Sequence, residues 1–415
     1  MIERAIEPVL KELASKYPVV TLTGPRQSGK TTLCRKVFPG KAYVNLESPD
    51  TRHFALTDPR GFLARYPDGA ILDEIQRAPA LLSYIQTIVD EVRKPGRYIV
   101  TGSQQFEVSN TVNQSLAGRT ALLKLLPLSV SELRGKYGPL PVDRLLLAGF
   151  YPRIYDQDLD PTQALGDYLA TYVERDIRQL LAIKDLGLFE KFVRLTAGRV
   201  GQILNLNSLA GDVGISHPTA RGWMTLLEAS FVVFLLPPWF GNVSKRLIKS
   251  PKLYFHDVGL ASYLLGLENE RQVSRDPLRG NLFENLAVVE ALKYRWNRGK
   301  RTNLNFYRDS RGNEVDLLIS FGSDLFPVEI KAGATIASDA FRGLDKVSEV
   351  LPRIPFGKGL VYGGEDIQIR SGVRIHPVTE IESLLRSVDP DTPVGRSTAH
   401  RAPPKPVRRR RSGKP

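Results

Sequence analysis

The run Gly24-Pro25-Arg26-Gln27-Ser28-Gly29-Lys30-Thr31, with Thr32 behind it, has the residue types and spacing to hold phosphate. Glycines let a backbone approach phosphate oxygens with no Cβ in the way. Successive N–H groups opening a helix form a nest for an anion. Lys30 would neutralise β- and γ-phosphates as a point charge, and the Thr31 hydroxyl would ligate Mg2+. A second element belongs with it. The apolar run Ala70-Ile71-Leu72 ends in Asp73 and Glu74, 43 residues after Lys30. Ligands of parallel sheets sit beyond the carboxyl ends of the strands. There Asp73 would hold Mg2+, directly or through water, and Glu74 would act as general base on the attacking water. Ser103 and Gln104 follow another strand-like run; they either sense the γ-phosphate and orient water or serve as turn residues. Arg119 is either an arginine finger, in cis or in trans, or a surface group.

A second set of charges lies near the C-terminus. Glu314-Val315-Asp316 and Val328-Glu329-Ile330-Lys331 read as two strands of a hairpin, with Glu329 and Lys331 on one face. Glu284, on the helix expected over 281–296, completes the group. Carboxylates plus a lysine suit Mg2+-dependent phosphodiester cleavage, with Glu284, Asp316 and Glu329 as metal ligands and Lys331 beside them. The alternative is a structural ion-pair network, because charge on apolar strands is costly unless paired. Between the two sets, the stretch Leu209 to Arg221 resembles a helix-turn-helix. Ala210 is small at the helix contact, Gly214 sits at the turn, Ser216 is an N-cap and Pro218 suits a first helical turn. Residues 231–239 would be its wing strand. His217, Thr219, Arg221 and Thr225 would face DNA if the module binds it; otherwise it is a packing module.

These residues need an α/β frame. Strand-like runs at 18–23, 42–46, 69–74 and 97–102 alternate with helical ones such as 80–91, which predicts a mostly parallel, doubly wound sheet over 1–135. Residues 136–277 read as helical, with the helix-turn-helix and wing at about 189–240. Residues 278–387 return to α/β, with strands at 304–307, 314–319, 325–331 and 359–362. From 388 to 415 no apolar period survives and the composition predicts a disordered basic tail. The net charge is +14, and eight Lys or Arg with no acid lie between 393 and 415, so only +6 remains for the body. Charge alone is therefore a weak pointer to nucleic acid; any DNA contact would come through the helix-turn-helix or the tail. Cys34 is the only cysteine, so no intramolecular disulfide forms, and its place after the loop predicts a packed residue. No secretory signal or membrane-spanning run is visible, which predicts a cytoplasmic protein with no membrane partner.

In combination the motifs identify a resemblance. The chain is similar to the prokaryotic AAA-like P-loop ATPases fused to a C-terminal domain of uncharacterised function with a restriction-endonuclease-like fold. The resemblance rests on the loop 24–32, on Leu72-Asp73-Glu74-Ile75-Gln76-Arg77, Thr101-Gly102-Ser103-Gln104, Ser115-Leu116-Ala117-Gly118-Arg119 and Tyr172-Val173-Glu174-Arg175-Asp176, on the run from Lys249 to Leu260, and on Asp316, Glu329 and Lys331. It covers residues 1 to about 385. It implies ATP as ligand and a winged helix between ATPase and nuclease-like domains. Three expectations follow: an Mg2+-dependent ATPase coupling nucleotide state to DNA-associated C-terminal domains, an ATP-regulated DNA nuclease, or a nucleotide-switched DNA-binding regulator without turnover. AAA-like ATPases often form rings, so an oligomer is compatible with each.

Overall fold

The computed structural model describes residues 2–103, 116–173, 185–239, 250–309, 312–337, 340–349, 351 and 353–390. Gln104, Ser115, Glu174, Arg175, Asp176 and Lys249, named above, lie outside them, as do residues 391–415 of the tail. Val388 and Asp389, assigned to the tail by composition, are instead buried, and Asp389 accepts a hydrogen bond from Tyr294 Oη at 3.1 Å. Packing against the long helix described below holds the chain past 388, which composition alone does not register.

Five strands form the first sheet: β1 (Val19–Thr23), β2 (Ala42–Asn45), β3 (Ala70–Asp73), β4 (Tyr98–Gly102) and β5 (Thr120–Lys124). Their order is β2-β3-β4-β1-β5 and every pairing is parallel. Alternate side chains point to opposite faces. Val19, Leu72 and Val100 pack on one side with Leu81, Leu82 and Ile85. Val20, Ile71 and Ile99 pack on the other with Leu33 and Cys34. Helices cover both faces, as burial of a parallel sheet requires. The expected four strands are present. The fifth, β5, is an edge strand with Leu122 exposed, so it lacks the continuous apolar run that marks its neighbours. Cys34 is packed, and burial pushes its thiol up to about 12.

The middle of the chain is mostly helical. Helix Leu206–Val213 ends at Gly214, whose φ of +91° lies in the left-handed region. Ser216 Oγ then accepts the Thr219 N–H at 3.3 Å and caps helix His217–Ala229. The strand that follows, β6 (Val233–Leu236), pairs antiparallel with β7 (Lys252–Phe255). It is shorter than the expected 231–239, because Phe231 takes a φ of +56° and Pro237 and Pro238 lack the N–H a ladder needs.

The C-terminal region sets helix Arg279–Trp296 against a six-stranded sheet. Its strands are β8 (Leu304–Arg308), β9 (Glu314–Phe321), β10 (Asp324–Lys331), β11 (Lys358–Tyr362), β12 (Gln368–Arg370) and β13 (Val373–Pro377), in the order β12-β13-β11-β10-β9-β8. β10, β11 and β13 run parallel; the remaining pairs are antiparallel. The expected strands are all there, with β12 and β13 in addition. Middle and C-terminal regions share one interior: Phe192, Trp223 and Leu227 belong to the same apolar cluster as Phe283, Leu286, Phe326 and Leu384. Among the described residues no helix is long and apolar enough to cross a membrane.

Candidate functional site

The loop 24–31 leaves the carboxyl end of β1 and runs into helix Lys30–Val37. Gly24 has a φ of +153°, and a Cβ there would fall 2.0 Å from the Leu125 carbonyl oxygen; Gly29 caps the helix at φ +92°. Only glycine fits either position. Gln27 takes a left-handed φ of +59° between them. Lys30 is buried and its Nζ donates to the Gly24 and Pro25 carbonyls at 3.0 and 2.8 Å. Burial holds its pKa below the usual lysine value, against the opposing pull of Glu74 and Asp73. Ser28 Oγ is buried and has no hydrogen-bond partner among the described residues. Arg26 reaches Glu47 at 3.3 Å.

Asp73 lies at the end of β3, next to the loop. Its Oδ2 accepts from Thr31 Oγ1 and from Tyr43 Oη, both at 2.8 Å, and its Oδ1 accepts from Thr101 Oγ1. Glu74, one residue on, has a φ of +57°, which turns the chain out of the strand. Its Oε2 accepts from Ser103 Oγ at 2.9 Å and from Gln76 Nε2, and Gln76 Nε2 also donates to Ser103 Oγ at 2.9 Å. The sequence reading brought Lys30, Thr31, Asp73, Glu74 and Ser103 to this place. It missed Tyr43 and Gln76. Tyr43 is detectable only through register, since β2 pairs with β3 from Tyr43↔Ile71 to Asn45↔Asp73. Gln76 stands two residues beyond Glu74, a spacing with no chemical signature of its own.

These residues suit a phosphate and its cation. The loop offers two glycines at positive φ, a buried ammonium and an unpartnered buried hydroxyl. The Thr31 hydroxyl and Asp73 carboxylate are hard oxygen donors of the kind Mg2+ takes.

Arg119 does not join them. It precedes β5, and its carbonyl accepts from Val19 N–H at 3.3 Å, so it stands at the opposite end of the sheet from the loop. A five-residue strand separates the two by about 16 Å. Its guanidinium pairs with Asp90 at 2.5 and 2.7 Å. A finger acting in cis is thereby corrected: the parallel register that puts the loop at one end of β1 puts Arg119 at the other.

The C-terminal acids are also arranged otherwise than expected. Lys252, from β7, lies 2.9 Å from Glu284, 2.6 Å from Glu314 and 3.8 Å from Asp316, with its side chain only 4% exposed. Tyr254 Oη donates to Glu284 at 2.5 Å, the Ile330 N–H to Asp316 at 2.9 Å, and Lys331 to Glu329 at 2.6 Å. The Lys252 ammonium thus stands among Glu284, Glu314 and Asp316, while Glu329 pairs with Lys331. Among the described residues no group of three or more acids, histidines or cysteines is arranged to hold a metal. Glu284 and Asp316 face Lys252, and Glu329 faces Lys331, which is the ion-pair arrangement that the sequence also allowed. Sequence reasoning missed Lys252 because its partners lie 32 to 64 residues away, on other elements. Burial, then the neighbouring Asp316, raises both Glu284 and Glu329 to about 7. Burial lowers and the three carboxylates raise the Lys252 pKa, with a net rise.

Residues 16–134 match the AAA domain, 141–271 a domain of unknown function (DUF8612) and 279–381 another (DUF4143). Uncharacterized protein Rv2008c of Mycobacterium tuberculosis is 31% identical over 362 residues, spanning 86% of this chain and 79% of that protein; Mb2031c of Mycobacterium bovis matches to the same extent. The chain belongs to the family of these mycobacterial proteins. Its N-terminal region is an AAA-type P-loop ATPase domain, and the all-parallel five-stranded sheet fits that fold. Two solved structures are more distant. The Walker-type ATPase PABY2304 of Pyrococcus abyssi is 14% identical, covering 62% of this chain and 94% of that one at a TM-score of 0.43. AMPPCP-bound DnaA from Aquifex aeolicus is 16% identical, covering 54% and 85% at a TM-score of 0.29.

Proposed function

We propose that this protein is an Mg2+-dependent ATPase whose nucleotide state is passed to the regions after residue 135. The observation that carries the reading is the 2.8 Å hydrogen bond from Thr31 Oγ1 to Asp73, which joins the phosphate loop to the acidic strand end. In this reading residues 24–32 hold the triphosphate, and the buried Lys30 neutralises its outer phosphates. Thr31 and Asp73 would hold Mg2+, which would supply positive charge against the phosphates. Glu74 takes the proton of the attacking water, and Ser103 and Gln76 fix the carboxylate that does so. Tyr43 and Thr101, by donating to Asp73, hold its carboxylate in place.

The domain limits follow the same reading: an ATPase domain over 1–135, a helical region with a winged helix over 136–277, and a restriction-endonuclease-like region over 278–387. DNA contact through helix His217–Ala229 is supported by the exposure of Arg221 and Thr225. The acid network around Lys252 does not fit a shared metal, so no nuclease step is derived from it.

The test is turnover by the full chain with Glu74→Gln against wild type. The variant is expected to bind Mg2+ and ATP with wild-type affinity by calorimetry and to hydrolyse about a hundredfold more slowly or worse. Equal hydrolysis would remove Glu74 from the mechanism. Binding without turnover by wild type, with DNA affinity that responds to ATP and to salt, would favour a non-hydrolytic switch instead.

A further inference from the structure

Arg4 lies outside the segment that matches the AAA domain, and the chemistry assigned above makes no use of it. It is nonetheless buried, 9% exposed, and among the described residues no other arginine is. A buried guanidinium must find acceptors, and its planar fork fixes their geometry. Its Nη1 donates to the Ser28 carbonyl at 2.6 Å, inside the phosphate loop. Its Nη2 donates to the Leu126 carbonyl at 2.7 Å, and its Nε to Glu132 Oε2 at 3.2 Å. A Cβ built on Gly29 would lie 3.4 Å from Nη1, so the guanidinium also backs the residue that caps the loop helix.

The far side of this contact is firmly held. Glu132 also accepts from the Ala5 N–H at 2.6 Å and the Ser129 N–H at 2.8 Å, and closes a capping box with Ser129. The adjoining segment is gripped by helix Arg279–Trp296: Lys293 donates to the Leu128 carbonyl at 2.7 Å, and Glu290 accepts the Val130 N–H at 2.9 Å. Glu290 and Lys293 also pair with each other at 2.8 Å, both buried. The loop, by contrast, contains Gln27 and Gly29 at positive φ and the unpartnered Ser28 hydroxyl. Of the two sides that Arg4 joins, the anchor is over-determined and the loop is not.

We propose that Arg4 is a positioning residue for the phosphate loop. By pulling the Ser28 carbonyl to its back, it turns the neighbouring N–H groups toward the phosphate side and references the loop to the segment 126–132. Its kinetic consequence rests on the ATPase reading; its structural consequence does not.

The experiment uses the full chain with Arg4→Gln and Arg4→Lys. Without nucleotide, amide hydrogen exchange in residues 24–31 is expected to speed up about tenfold in Arg4→Gln, while β3 keeps its protection. With Mg2+ and ATP, the Kd and KM are expected to rise about tenfold. The kcat is expected to stay within about threefold, because the group touches no reacting atom. Arg4→Lys keeps the charge but not the fork, and should recover only part of each effect. Should Arg4→Gln not fold, the lysine variant is judged by the same criteria. Unchanged loop exchange overturns the proposal whatever wild type does with ATP, and so does a fall in kcat at constant KM. A loosened loop in a protein whose wild type binds no nucleotide sinks the ATPase reading and leaves the positioning role standing.

Discussion

The phosphate loop and the Lys252 network use the same ingredients to opposite ends. Each has a buried lysine near acids. In the loop, backbone carbonyls of Gly24 and Pro25 hold Lys30, while hydroxyls of Thr31, Tyr43 and Thr101 satisfy Asp73. Cation and anion are thus each held by neutral partners rather than by one another. At the other site Lys252 sits directly against Glu284 and Glu314, with Asp316 close by, and its charge is spent internally. What separates a binding site from a structural ion pair here is which group the lysine leans on, not which residues are present.

The sharpest break of this comparison is the same substitution at both lysines. Lys252→Met removes the cation that three carboxylates share and should destabilise the fold by about 3–5 kcal/mol in urea melts. Lys30→Met should cost the fold about 1 kcal/mol or less. Its nucleotide affinity by calorimetry should instead drop on the order of a hundredfold. If Lys252→Met melts like wild type, the network is not structural.

The pH dependence is next in size. Glu284 and Glu329 are raised to about 7 from an ordinary carboxylate value near 4.5. The folded state therefore holds protons that the unfolded chain has released between these limits. Stability contributed by the neutral forms is fully present below pH 4.5 and lost as pH rises toward and through 7. The unfolding free energy should thus fall between pH 5.5 and 7.5, by on the order of 2 kcal/mol, with denaturation midpoints falling alongside, and Glu329→Gln should flatten the fall. A midpoint that climbs over this range would contradict the burial of these acids.

The smallest effect should come from Arg119→Ala. Its pairing with Asp90 is at the surface, at the wrong end of the sheet for catalysis in cis, so turnover should change less than about twofold. A loss greater than tenfold would mean that Arg119 serves the site of a neighbouring copy, as a finger in trans.

The legible parts of this molecule are the ones whose chemistry is local in sequence. Gly24, Gly29 and Lys30 are a single run, and Asp73 and Glu74 end an apolar strand; each announces its role without its neighbours in space. Gly214, Ser216 and Pro218 likewise placed a helix end and a helix start. What escaped the sequence is set by tertiary register. Tyr43 meets Asp73 across a strand pair, Arg4 meets Glu132 across 128 residues, and Lys252 reaches acids on a helix and a strand beyond it. Arg119 failed for the same reason in reverse: a residue expected beside the loop lies far from it once β5 pairs in parallel with β1. Helix Arg279–Trp296 shows the limit of periodicity, since Glu290 and Lys293 are as buried as Leu286 and Val289 and no polar face marks its surroundings.

That the residues after the ATPase domain share one apolar interior has a consequence for inheritance. Phe192 and Trp223 pack in the same body as Phe283 and Phe326, so neither half could be lost or swapped without leaving a bare oily wall on the other. The two stretches are held together as one physical object, so a push on either is felt by both.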